Sequence, residues 1–209
     1  MSENAMMTLS DHIGYPGKKV KRQEEKMNKR YGFTLVELLV VIAIIAILMA
    51  ITVPVISSAI DSARRAQAQT EVRSIATASV AYLNEYARFP HGSGGSDQSY
   101  GEVGRQNEEL INVLRAVPGT GNPNHQNNPR RIVFLEVSDR SLDTETPATG
   151  GNFMDPWDNQ YNITLDTDFD GDCNVPMYGL VENRRAVAWS FGKETAGGSD
   201  TNKHVRSWD

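Results

Sequence analysis

From residue 38 to residue 56 the chain is apolar at every position except Thr52 and Pro54. At about 1.5 Å of rise per residue, a helix of that length crosses a hydrocarbon core of about 30 Å. The run is therefore a transmembrane candidate and not the core helix of a small soluble domain. It follows a basic flank (Lys29, Arg30) and a Gly32-Phe33 junction, and it carries one carboxylate, Glu37, at its edge.

Charge divides the chain at the same place. Of its 21 basic and 26 acidic side chains, seven basic residues (Lys18, Lys19, Lys21, Arg22, Lys26, Lys29, Arg30) and four acidic ones lie in residues 1–32, leaving fourteen basic and twenty-two acidic beyond. Basic residues just before an apolar span stay on the cytoplasmic side, which points the acidic body outward across the membrane. An acidic exported body argues against nucleic-acid binding, which needs a basic face. Cys173 is the only cysteine. No intrachain disulfide can form, so the fold depends on its core, its partners or a metal.

A cleaved secretory signal would explain a basic start followed by an apolar stretch, but that stretch is usually only about 7–15 residues. Small-residue sites after the run, such as Ser57-Ser58-Ala59, fall in what reads as uninterrupted helix. An uncleaved anchor leaves Glu37 unexplained, because an ionised side chain at the membrane edge is costly without a partner. Cleavage between Gly32 and Phe33 would create an α-amino group four residues before Glu37. A second copy bringing its own new amine to this Glu37 would set the axial register between subunits.

The segment Lys29-Arg30-Tyr31-Gly32-Phe33-Thr34-Leu35-Val36-Glu37 resembles the prepilin processing motif of type IV pilins and type II secretion pseudopilins. The resemblance implies that a membrane prepilin peptidase cleaves after Gly32, where glycine lets backbone approach closely, and N-methylates Phe33. It further implies a single-pass inner-membrane protein with a periplasmic C-terminal domain that assembles into a homo-oligomeric helical filament. The partners implied are an inner-membrane assembly platform with its ATPase, and minor pseudopilins. A 32-residue leader is long for the family. Starting at Met27 gives the six-residue leader MNKRYG, so residues 1–26 are either a mis-assigned start or a cytoplasmic extension lost with the leader.

Residues 57–86 are rich in Ala and free of Gly and Pro, as a continuing helix requires. Ile56, Ile60 and Ala63, then Val72, Ile75, Ser79, Tyr82 and Tyr86, recur at three- and four-residue steps and form one buried stripe. Arg64, Arg65, Glu71, Arg73 and Glu85 fall on solvated or intersubunit faces. Pro54 removes a backbone donor inside the helix. Its position resembles the family's helix proline, and the expectation is a kink in the isolated subunit with local melting on assembly.

Arg88-Phe89-Pro90 ends the helix, and residues 91–104 read as a Gly/Ser-rich loop. A short helix follows from an Asn107 cap to about Val117. Residues 132–135 have the length and composition of a strand. Asp155-Pro156-Trp157 opens a turn into a strand ending at Leu165, and residues 177–181 and 186–190 read as two strands joined at Asn183-Arg184. The fold class is α+β: a long N-terminal helix, half transmembrane and half amphipathic, packed on a small antiparallel sheet in a pilin-like arrangement. The expected segments are a leader (1–32), a transmembrane helix (33–56), an amphipathic stalk (57–90) and a globular domain with a C-terminal loop (91–209).

Two stretches have carboxylates at metal-ligand spacing. Asp166-x-Asp168-x-Asp170-Gly171 matches the first half of an EF-hand loop. The twelfth position is Met177 rather than Glu, and an acidic turn explains the same residues without calcium. The tail from Ser190 to Trp208 resembles the calcium loop of the major pseudopilin. Glu194 stands near the first ligand position, with Asp200 and Asn202 as further donors, whereas Lys203 and His204 replace an expected Asp pair. That exchange disfavours calcium and favours a loop held by Trp208 packing and hydrogen bonds. No cofactor is required by the sequence.

His12, His91, His125 and His204 lie in expected loops or termini, and Cys173 has no histidine near it in sequence, so no nucleophile and base can be assembled. The chain reads as a structural subunit, not an enzyme. The Asp155-Pro156-Trp157 stretch, which resembles the major pseudopilin, favours a type II secretion pseudopilus. A type IV pilin for adhesion, motility or DNA uptake, and a membrane-tethered binding module that never polymerises, are the alternatives.

Overall fold

The computed structural model describes residues 32–91, 95–194 and 197–209. Apart from Gly32, the leader expected over residues 1–32 lies outside them. The chain forms two compact units, Met1–Ile47 and Leu48–Asp209. Helix α1, Leu35–Tyr86, contributes to both.

In the first unit every described residue from Gly32 through Ile47 is exposed. Helix α1 as a whole, Leu35–Tyr86, is long and apolar enough to cross a membrane.

The second unit is built on the later turns of α1. Ala68, Val72, Ile75, Ala78, Ser79 and Tyr82 are buried. These follow the stripe expected from Val72 onward. Ile56, Ile60 and Ala63, expected to begin it, are exposed, because three- and four-residue spacing marks an apolar face without saying what covers it. At the end of α1, Ala87 adopts a left-handed backbone (φ 53°). Its N–H bonds the Leu83 carbonyl at 2.8 Å, closing the last turn before Pro90 is reached.

Four antiparallel strands lie against this face: β1 (Gln98–Tyr100), β2 (Asn162–Leu165), β5 (Ala186–Ser190) and β6 (Val205–Arg206), in the order β1-β2-β5-β6. β3 (Cys173–Val175) and β4 (Gly179–Val181) form a separate two-stranded sheet. Alternation along β5 divides the core. Ala186 and Ala188 join Ile163, Leu165 and the α1 residues in one cluster, while Val187 and Trp189 join Cys173, Val175 and Phe191 in a second. All five residues of β5 are buried, as expected of a strand covered on both faces.

Three expectations about the globular part are corrected. The loop expected over 91–104 contains β1, three residues whose signal is hidden among Gly and Ser. The strand expected at 132–135 does not form. Phe134 and Leu135 both donate N–H to the Leu114 carbonyl, which ties this segment to the end of α2 (Glu108–Leu114) instead of to a sheet. The strands at 177–181 and 186–190 do not pair with each other. β5 already has β2 and β6 on its two edges, so β4 pairs with β3.

Asn107 also departs from its expected role. Its side chain makes no cap bond. Instead its amide donates to the Phe153 and Tyr161 carbonyls at 2.8 and 3.0 Å, and its oxygen accepts the Phe153 N–H at 2.8 Å. A buried amide that meets three backbone groups substitutes for a strand neighbour.

Candidate processing and assembly site

Gly32 and Phe33 precede the first turn of α1 and are exposed, Phe33 at 72%. Among the described residues, apart from its chain neighbours, no side chain or backbone lies within 4 Å of where a Gly32 Cβ would stand.

Thr34 occupies the N-cap position of α1, and Glu37 lies three residues on. Glu37 Oε2 accepts the Thr34 N–H and the Thr34 hydroxyl, both at 2.8 Å, while the Glu37 N–H donates to Thr34 Oγ1 at 3.2 Å. This is a capping box, which satisfies helix donors that would otherwise have no partner. Sequence reasoning assigned Glu37 to subunit register and missed this local role, although Thr-x-x-Glu before an apolar run is its signature. Among the described residues no hydrogen bond reaches Glu37 Oε1.

In the second unit, α1 runs through Pro54 without a break. Proline has no N–H, so the Ala50 carbonyl loses its helical partner. Thr52 Oγ1 donates to the Leu48 carbonyl at 2.7 Å and Ser57 Oγ to the Pro54 carbonyl at 2.9 Å. Hydroxyls on both sides of the proline thus bond nearby carbonyls, though not that of Ala50.

The Asp155-Pro156-Trp157 stretch is a tight turn. Asp155 Oδ1 accepts the N–H groups of Trp157 and Asn159 at 2.8 and 2.9 Å, and Oδ2 accepts the Ser190 hydroxyl. Burial pushes the Asp155 carboxyl above the usual range, and these donors offset part of the rise. Asn159 then donates to the Gly192 and Glu194 carbonyls at 3.0 and 2.9 Å, which fastens the turn to the start of the tail loop. Gly192 (φ 63°) is required there, because a Cβ would strike the Lys203 carbonyl.

Within the tail loop Lys203 Nζ lies 3.2 Å from both Glu194 Oε1 and Asp200 Oδ2. His204 Nε2 is 3.5 Å from Glu194 Oε2, with its ring stacked on Trp189. Asp200 and Glu194 hold the Lys203 ammonium above its ordinary range. Calcium and this ammonium would compete for the same oxygens. Arg65, expected on a solvated face, donates to the carbonyls of Asn202, Lys203 and His204 at 3.2–3.3 Å. Trp208 is partly buried against the second cluster.

The acidic loop after β2 is arranged differently from its sequence spacing. Asp166 and Asp168 gather with Asp97, with ligand oxygens within 4.8 Å of one another, and Asp170 is outside that group. Asp97 was missed because it lies far earlier in the chain, in a stretch without strand signal.

The family described as the prokaryotic N-terminal methylation motif matches residues 27–53. Over these residues the chain carries the N-terminal methylation motif found in type IV pilin-like proteins. No curated protein and no solved structure matches it.

The motif marks pilin-type structural subunits, which are not enzymes. Cys173 is buried, its thiol is pushed up to about 12, chiefly by burial and then by Asp97 and Asp166, and it rests against the Arg184 carbonyl at 3.2 Å. Such a thiol is inert as a nucleophile. The motif also implies prepilin-peptidase processing and filament assembly in general, and the apolar first half of α1 is suited to membrane anchoring.

Proposed function

We propose that this pilin-like chain is a structural subunit of a periplasmic pseudopilus of a type II protein secretion system. It is cleaved between Gly32 and Phe33, N-methylated at Phe33 and polymerised through α1. The observation that carries this reading is the exposed Gly32-Phe33 junction set against the capped Glu37 within a matched methylation motif.

Glu37 keeps its first helical turn intact through Oε2, and Oε1 receives the methylated amine of Phe33 from an adjacent subunit. One carboxylate then serves helix and filament together. The basic flank before the span holds the N-terminus in the cytoplasm and the acidic body in the periplasm. An inner-membrane platform with its ATPase extracts the subunits, and minor pseudopilins complete the fibre.

Two features support the pseudopilus over a type IV pilin. The Asp155-Pro156-Trp157 turn is tied to the tail by Asn159. The tail is closed by hydrogen bonds and the Lys203 ammonium, and the one thiol is free, whereas many pilins close a C-terminal loop by disulfide.

Intact-mass analysis of membrane-extracted protein, with and without prepilin peptidase, tests processing. The expected mature form begins at methylated Phe33, and any other N-terminus overturns the reading. Deletion of the chain should abolish protein secretion and leave no loss of surface fibres. Immunogold-labelled surface fibres containing the chain would assign it to pili instead.

A further inference from the structure

β1 and β2 pair antiparallel with Gln98 opposite Leu165. Asp97 therefore stands just before one strand where Asp166 leaves the other. The register of the ladder, and not proximity in sequence, brings the two carboxylates together, and Asp168 completes the group two residues later. All three present an oxygen within 4.8 Å of the others.

Asp166 is the member that points to a ligand. Its side chain is 0% exposed. Oδ2 is engaged by Arg185 Nη1 at 2.7 Å and the Gly171 N–H at 3.2 Å, but Oδ1 is buried with no hydrogen-bond partner among the described residues. Buried carboxylate oxygens are normally satisfied by a donor or a cation. Arg185 is the only cation bonded to this group of three carboxylates among the described residues, and it is spent on Oδ2.

The other two members have capacity to spare. Asp97 accepts the Thr167 N–H at 3.3 Å and the Asn174 N–H at 2.5 Å, one on each oxygen. Asp168 Oδ1 accepts the Asp170 N–H at 3.3 Å, and the residue is exposed. A carboxylate oxygen has two lone pairs, so each can still ligate. Burial, and then the charges of Asp168 and Asp166, push the Asp97 carboxyl above its usual range, as expected where negative groups crowd together.

We propose that Asp97, Asp166 and Asp168 hold a hard divalent cation of the calcium class, with the orphaned Asp166 Oδ1 as its buried ligand. The donors are all carboxylate oxygens, which suits calcium and disfavours softer transition metals. Calcium accepts an irregular set completed by water, whereas magnesium demands near-octahedral geometry. The ion locks the start of β1 to the loop that follows β2. This site is separate from the tail loop and independent of the filament reading.

The test uses the full chain in detergent, stripped with EDTA and titrated with CaCl2 by calorimetry while its thermal midpoint is followed. One site is expected, with Kd on the order of 10⁻⁴–10⁻³ M as in extracellular calcium modules, and the midpoint rises by several degrees. Asp168 is exposed, so Asp168→Asn should fold as the parent does in EDTA yet lose both the heat and the rise. Asp97→Asn should do the same, and Asp170→Asn should keep both. No heat and no midpoint shift through millimolar CaCl2 would overturn the proposal. So would binding that survives Asp168→Asn and Asp97→Asn but disappears in Glu194→Gln, or equal binding of MgCl2 that NaCl abolishes.

Discussion

Thr34 and Glu37 cap α1 reciprocally: Glu37 Oε2 takes the Thr34 N–H and hydroxyl at 2.8 Å, and Thr34 Oγ1 takes the Glu37 N–H at 3.2 Å. The carboxylate assigned to subunit register is thus also a helix cap. The two roles separate by substitution. Glu37→Gln keeps an amide oxygen for the cap but removes the charge, so filament assembly should fall while helix content and membrane insertion persist. Glu37→Ala should lose assembly and also fray the first turn. Membrane fractionation, filament counts and amide exchange at residues 34–38 check both. Assembly by Glu37→Gln at the parent level would leave Glu37 with the cap alone.

Tyr161 reaches Glu71 across the core, its hydroxyl donating to Glu71 Oε2. Burial first, then Glu71, raise the Tyr161 hydroxyl far above its usual range, so it stays protonated and a donor at every physiological pH. Tyr161→Phe removes the donor and keeps the ring packed on Phe153. A loss of about 1–2 kcal/mol in unfolding free energy is expected from denaturant titration.

Asp155 binds its proton more tightly folded than unfolded, because burial raises its carboxyl above 3.8. Its contribution to stability is fully present below that unfolded value and is lost as pH rises through the folded one. Asp155→Asn keeps an oxygen for the Trp157 and Asn159 N–H groups but does not titrate. The parent should therefore gain stability relative to Asp155→Asn as pH is lowered through the acid range, and thermal midpoints across that range check the sign.

Lys203 sits between Glu194 and Asp200 in the tail loop. Lys203→Ala leaves two carboxylates facing each other without their ammonium. Faster amide exchange over residues 197–206 is expected, with the global midpoint little changed because the side chain is solvent-exposed. Unchanged exchange would show that Asn159 and Arg65 alone hold the loop.

Much of this chain was legible because the relevant interactions are local. The apolar length of residues 38–56 lies within a few helical turns, so composition determines it directly, and the Thr34-x-x-Glu37 cap, although it went unread, has an equally local signature. The stripe from Val72 to Tyr82 follows from helical periodicity, and β2 and β5 follow from their apolar runs.

What the sequence by itself could not determine is pairing at a distance. β1 carries only three residues of signal, and it exists because β2 offers it an edge. β4 turned away from β5 because both edges of β5 were taken, and no property of residues 177–190 announces that. The same holds for side chains. Asp97 joins Asp166 and Asp168 through a strand register, Asn107 abandons its cap for Phe153, and Arg65, on its exposed face, bonds the tail carbonyls. Local preference is written into neighbouring residues, whereas long-range partners are chosen by which edges and buried polar groups remain unsatisfied after the core has closed.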